Sequence, residues 1–238
     1  MTTPSASINL DRRWRPQWPL LVALCLSSAM SIVMVVFRIA YTENVTYSFL
    51  VWNLFLAWMP LWNALALWQL SRYGLRTIPL LALFFVCWLL FFPNSPYIVT
   101  DFLHLTPRQN VPLWFDLMLI FSFAWNGLIL GFTSLWIVQD VVQTLFGRMA
   151  SWLVVAFALS SSGFAIYLGR FLNWNSWDVV TAPSALLTDI YGLLANPFAH
   201  PRTLAVTILF SSFLTVAYLT FALLTRTRWA AEGDRVKG

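Results

Sequence analysis

The stretch Leu89–Leu105, LLFFPNSPYIVTDFLHL, decides how the chain is read. It opens as the end of an apolar run, breaks at Pro93 and Pro96, and then carries Asp101 and His104 among apolar residues. Proline has no backbone N–H, so two prolines this close interrupt a helical ladder. Ser95 followed by Pro96 reads as an N-cap and a first helical residue. A short helix is predicted from Pro96 to Leu105, ending before Pro107. On it Tyr97, Asp101 and His104 share one face, and Ile98, Phe102 and Leu105 form the apolar face. The whole segment 93–111 is too polar for a lipid-facing helix and too apolar for a free loop. It reads as an interfacial or re-entrant helix, whose irregular start needs cover from protein or water.

Working outward, the 238 residues are 60% hydrophobic and only 10% charged. A soluble domain carries about 25% charged residues, so this composition calls for a bilayer. The net charge of +5 does not imply nucleic acid. The basic residues form no patch or stripe; they sit between apolar blocks, as topology signals do. Cys25 and Cys87 lie inside apolar runs and read as small buried apolar residues. No secretory signal peptide is expected, because the first apolar run is long enough to span by itself.

Six spans are predicted, at about 19–41, 46–70, 77–92, 112–138, 149–168 and 202–224, giving an all-α polytopic bundle. Residues 1–18 read as a loose N-terminal segment, 19–224 as one membrane domain and 225–238 as a basic tail. Pro60 should kink the second span. Gly127 and Gly131 form a small-residue pair for close helix approach. The third span is short for roughly 30 Å of hydrocarbon. Residues 169–201 form a second long non-spanning segment with a short helix at 183–194. With both termini cytoplasmic, ten basic residues lie inside (Arg12, Arg13, Arg15, Arg72, Arg76, Arg148, Arg226, Arg228, Arg235, Lys237). Four lie outside (Arg38, Arg108, Arg170, Arg202). This agrees with the positive-inside rule and turns both long non-spanning segments, with His104 and His200, outward.

Five blocks carry a resemblance: WNLFLAWMP at 52–60, FFPNSPYIVTDFLHL at 91–105, WFDL at 114–117, FAWNGLILG at 123–131 and YLGRFLNWNSWD at 167–178. Over about 49–224 the chain resembles a bacterial integral membrane family of unknown function, domain-of-unknown-function family 1361. The resemblance implies a multi-span protein of the bacterial cytoplasmic (inner) membrane. It implies no activity and no cofactor.

Asp101 and His104, at i,i+3, are the first candidates for chemistry. They form an acid–base pair, or else His104 hydrogen-bonds Asp101 and fixes the short helix. Asp116 either answers the dipole of its own helix N-terminus or completes a cluster with Asp101 and His104. These residues and His200 are enough ligands for a divalent metal, but no HExxH or comparable compact motif accompanies them, and no metal is assigned. Asn94 serves the turn at the break, and Tyr97 anchors at the interface; both are also candidates for substrate contact. Arg170, Trp174 and Asp178 are spaced by four, so a helical turn would pair the two charges, unless Arg170 and Asp178 serve substrate or anion binding. The amides Asn53, Asn63 and Asn126 are helix-packing groups or the lining of a polar cavity.

Three functions follow. The first is transport of a small solute or ion, with a six-span chain working as a homo-oligomer. The second is a membrane-embedded enzyme acting on a lipid-linked or peptide substrate at the outer leaflet, with no nucleophile nominated. The third is a non-catalytic membrane scaffold. All three have membrane lipids as partners and none involves nucleic acid. Convergence of the polar residues on a cavity open to lipid favours the enzyme. A path continuing past Asn126 and Asn53 favours transport. Dispersed, locally paired side chains favour the scaffold.

Overall fold

The computed structural model describes residues 18–73, 77–108 and 111–235, with side chains to 225. The predicted N-terminal segment therefore lies outside the described residues, apart from Trp18. The elements are α1 (Trp18–Thr42), α2 (Phe49–Ser71), α3 (Ile78–Phe91), α4 (Asn94–Tyr97), a 3-10 helix (Ile98–His104), α5 (Leu113–Leu172), α6 (Asp178–Thr181), α7 (Pro183–Ala195), a 3-10 turn (Pro197–Ala199) and α8 (Pro201–Arg235). Among the described residues, five helical stretches are long and apolar enough to cross a membrane: Trp18–Thr42, Phe49–Ser71, Ile78–His104, Leu113–Leu172 and Pro201–Thr225. The protein is an all-α, multi-spanning membrane bundle. Rows of large apolar side chains on its outer surface, such as Met30, Val33 and Phe37 of α1, are exposed; in a bilayer such surface meets acyl chains.

The break at Pro93 is milder than predicted. Phe92, Pro93, Tyr97 and Ile98 all keep right-handed helical backbone angles, and the chain turns extended only at Leu105. The segment after α3 thus continues the third helical stretch rather than standing apart from it. Missing proline donors tighten the ladder toward i→i+3 bonds, as from Ser95 N–H to the Phe92 carbonyl (3.2 Å). Ser95 is not a side-chain N-cap. It is fully buried, and its hydroxyl donates to the Ala57 carbonyl in α2 at 3.0 Å.

The predicted loop 139–148 is helical except at Gly147 (φ 88°, ψ 173°). Gln139, at its start, is buried in the bundle: Tyr218 of α8 donates to Gln139 Oε1 at 2.6 Å. At about 1.5 Å per residue, a straight 60-residue helix would reach about 90 Å. The chain instead reverses at Gly147. A Cβ at Gly127 would strike the Ser95 carbonyl, and one at Gly169 would lie 2.9 Å from the Tyr97 ring. Residues far to either side of Gly147 therefore meet the same short segment 95–97. The Gly127–Gly131 pair gives that segment its close approach, as its spacing predicts, and a Cβ at Gly131 would lie 2.9 Å from Ser95 Cβ.

Among the described residues, the core is one large cluster centred on α2, α3, the segment after it and α5, with Leu50, Leu61, Trp88, Ile98, Leu119 and Leu130 fully buried, and a small second cluster of Leu168, Leu186 and Leu193. The two cysteines are free, and Cys25 is exposed on α1 rather than buried as predicted.

Candidate functional site

Three elements bring polar groups to one end of the bundle. The 3-10 helix supplies Thr100, Asp101 and His104, the last turn of α5 supplies Arg170, and α2 supplies Asn53. Arg170 is the hub. Its Nη2 donates to Asp101 Oδ1 at 2.5 Å and to Thr100 Oγ1 at 2.7 Å. Its Nε also donates to Thr100 Oγ1, at 2.9 Å. Thr100 passes its own proton to the Tyr97 carbonyl at 2.7 Å. The guanidinium stands 4.9 Å from the centre of the Tyr97 ring, within cation–π range. The second oxygen of Asp101 accepts from Asn53 Nδ2 at 2.9 Å, and the carboxylate is almost wholly buried.

Asp101 and His104 do not form the direct pair that their i,i+3 spacing predicts. Arg170 bridges them, with Nη1 2.7 Å from His104 Nε2. Guanidinium has only donors, so Nε2 must present its lone pair and the imidazole proton sits on Nδ1. Among the described residues, Nδ1 has no hydrogen-bond partner, and the ring is exposed. With Nε2 engaged by Arg170, His104 keeps Nδ1–H as a hydrogen-bond donor. The floor is neutral in sum: one arginine, one carboxylate and one neutral imidazole.

The helix that carries Arg170 ends at Leu172 because Asn173 takes a left-handed conformation (φ 60°), which asparagine tolerates better than most residues. Arg170 and Asp178 therefore do not pair through a helical turn, as predicted. Asp178 is half-buried; it accepts from Asn175 N–H at 2.7 Å and from the Thr181 hydroxyl at 2.9 Å. These bonds, the Asn175 N–H first, hold its carboxyl below the usual range. Asn94 does what its turn position predicts. Its Nδ2 donates to the Phe91 carbonyl (3.0 Å), and also to Ser176 Oγ (2.9 Å), tying the turn after α5 to the end of α3.

A cleft of about 360 Å³ opens here, within the range of small-molecule sites; Thr100 and Asp178 lie outside its lining. Asn53, Asn94, Tyr97, Asp101, His104 and Arg170 contribute its polar surface, and Trp52, Leu56, Leu90, Trp177, Leu186 and Ile190 contribute apolar wall. Trp52 and Trp177 meet edge to face at 6.5 Å, and both are partly exposed at the rim.

Asp116 does not join this cluster. It lies in the first turn of α5 and makes a two-pronged pair with Arg38, Nε to Oδ1 at 2.7 Å and Nη2 to Oδ2 at 3.2 Å, both side chains buried. Tyr47 connects the two centres. Arg38 stands over its ring at 4.5 Å, and its hydroxyl donates to the His104 carbonyl at 3.3 Å. Sequence reasoning missed Arg38, Tyr47 and Thr100 as participants. The signal for Arg38 was present: an arginine one turn inside an apolar span needs a partner. Nothing in the spacing marks Thr100.

The other amides divide. Asn126 is buried against α1, donating to Ser31 Oγ (2.9 Å) and the Ser122 carbonyl (2.9 Å), and Asn63 bonds the Met59 carbonyl (2.9 Å). Asn126 thus joins α5 to α1, Asn63 bonds only within its own helix, and Asn53 lines the cleft. His200 is exposed at the end of the short 3-10 turn before α8. Among the described residues no group of three or more His, Cys, Asp or Glu side chains could hold a metal.

The family model for proteins of unknown function designated DUF1361 matches residues 52–217. No curated protein and no solved structure matches the chain significantly.

Proposed function

Since the chain belongs to the DUF1361 family, whose description assigns no activity, we propose from the geometry of its own site that it acts at the outer leaflet on a lipid-linked molecule. The polar head of that molecule enters the cleft, and its chain lies along the apolar wall. The observation that carries this reading is the convergence of Asp101, His104, Arg170 and Asn53 on one cleft with a tryptophan rim. The floor offers His104 Nδ1–H and the Asn53 and Asn94 amides around a neutral ion pair, so it suits an uncharged polar head better than a bare anion. His104 serves as the donor that orients the head, and the Arg170–Asp101 pair holds His104 in place.

A solute path receives less support. Asn126, the next polar group along the bundle, is closed off by α1 and lines no part of the cleft. Six crossings complete the reading, with the reversal at Gly147 separating the fourth from the fifth. The end that gathers Arg38, Arg108, Arg170 and Arg202 then faces outward.

A photoreactive amino acid in place of Trp177 tests this in native membranes. Crosslinking to one lipid-linked species, abolished by Arg170→Met with Asp101→Leu, is the expected result. Crosslinking to bulk phospholipid alone, unchanged by that double substitution, returns the scaffold reading.

A further inference from the structure

A second cleft, of about 560 Å³, lies on the other flank of Tyr47, lined by Arg38, Tyr41, Thr42, Glu43, Asn44 and Arg108 as well as Val111. It shares no lining residue with the first cleft. Arg38 spends Nε and Nη2 on Asp116, but its buried Nη1 has no hydrogen-bond partner among the described residues. A buried donor left unsatisfied forfeits its hydration without recompense, and the loss is greater when the group is charged. The residue is only 3% exposed, so bulk water is a poor substitute. A second guanidinium is close by: Arg108 stands over the same Tyr47 ring at 5.5 Å. Asp116 is already taken up by Arg38, which leaves Glu43 as the exposed carboxylate of the cleft.

We propose that this cleft binds the headgroup of a zwitterionic amino-phospholipid. The phosphodiester anion accepts from Arg38 Nη1 and from Arg108, and the ammonium faces Glu43. Guanidinium groups match phosphate oxygens geometrically, and an orphaned donor in a polar cleft is what such an oxygen would satisfy. Glu43 argues against a plain anion and for one that carries its own cation. The position argues for a lipid over a free phosphoamine. The cleft sits at the end of α1, directly beyond Phe37 and Tyr41, which are 59% and 67% exposed on the apolar surface. Acyl chains lying on that surface bring their phosphates to this level. The proposal does not depend on the occupant of the first cleft.

The test is native mass spectrometry of the delipidated full chain, titrated separately with phosphatidylethanolamine, phosphatidylglycerol and phosphatidylcholine. Phosphatidylethanolamine should bind at least about fivefold more tightly than either of the others. Glu43→Gln should abolish the preference, weakening phosphatidylethanolamine and, with the repelling carboxylate gone, strengthening phosphatidylglycerol. Arg108→Ala should weaken all three. Both residues are peripheral to the core, and a melting curve for each variant verifies folding. Equal binding of the three lipids, or wild-type selectivity in Glu43→Gln, overturns the proposal. Competition by soluble phosphoethanolamine at the same concentration as the lipid overturns the lipid as the source.

Discussion

At the residue scale, the central object is a buried carboxylate whose charge is answered by one arginine. Removing one partner of such a pair costs far more than removing both, because a lone charge stays behind in a poor solvent. Arg170→Ala should therefore destabilise the folded protein by about 3 kcal/mol. Arg170→Met combined with Asp101→Leu should recover most of that loss. Thermal unfolding in a fixed detergent measures both, and equal losses in the single and double variants would show that packing and not charge is at stake. Asp178 gives a pH-dependent companion. Its carboxyl is held below the ordinary range by Asn175 N–H and Thr181, so its support of the turn is complete above the ordinary carboxylate value, about pH 4. That support is lost as the pH falls through the lowered value. Amide protection at 175–181, taken relative to the intrinsic exchange rate, should fall in that acid window, and this acid-dependent fall should be absent in Asp178→Asn. Asp101, His104, Tyr97 and Asn94 were legible in the sequence because they are polar groups in an apolar run. Their partners were less so. Arg170 stood out as a charge at a span end, but its link to Asp101 crosses 69 positions and no local spacing encodes it. Asp116 was drawn toward the wrong cluster for the same reason, its partner Arg38 lying 78 positions away.

At the element scale, the bundle depends on where glycine stands. Gly147 has a positive φ, and nothing lies within 4 Å of the place a methyl group would take. Substitution there is a backbone problem only, and Gly147→Ala should cost about 1–3 kcal/mol. Gly192 also has open space but lies in the helix α7 without a positive φ. Gly192→Ala should be neutral or stabilise by up to about 1 kcal/mol. The contrast in unfolding midpoints separates the reversal at Gly147 from a general effect of added bulk. The apolar runs were legible from hydropathy, and most of the helical boundaries fall within a few residues of their predicted places. The stretch 139–148 misled because it is polar. Gln139 points inward to Tyr218 and Thr144 back to the Asp140 carbonyl, so the first part of the stretch is drawn into the bundle while residues 146–148 stay exposed. Pro93 and Pro96 likewise bend expectation toward a separate short helix, while the chain passes them with right-handed helical angles by tightening toward i→i+3 bonds.

At the scale of the whole molecule, the four arginines that were assigned outward by charge bias sit at one end. Arg38 and Arg108 share the Tyr47 ring, Arg170 reaches His104 beside it, and Arg202 stands 4.2 Å from the centre of the ring of Phe171, next to Arg170. Six crossings would put both termini on the cytoplasmic side, whereas counting α5 as one crossing would put them on opposite sides. Reporter fusions after Tyr73, Phe146 and Thr225 should all report cytoplasm, and fusions after Asn44 and Asn196 should report the exterior. A mismatch at Phe146 would remove the reversal as a membrane turn and with it the outward placement of the cleft. The most direct test of the central claim is a high-resolution density map of the protein in nanodiscs with its native lipids retained. A lipid-linked head bound as proposed would give head-group density in the cleft between Trp52, Asn94, His104 and Trp177, within hydrogen-bond reach of His104 Nδ1. An empty cleft, with Arg170, Asp101 and His104 engaged only with one another, would contradict it.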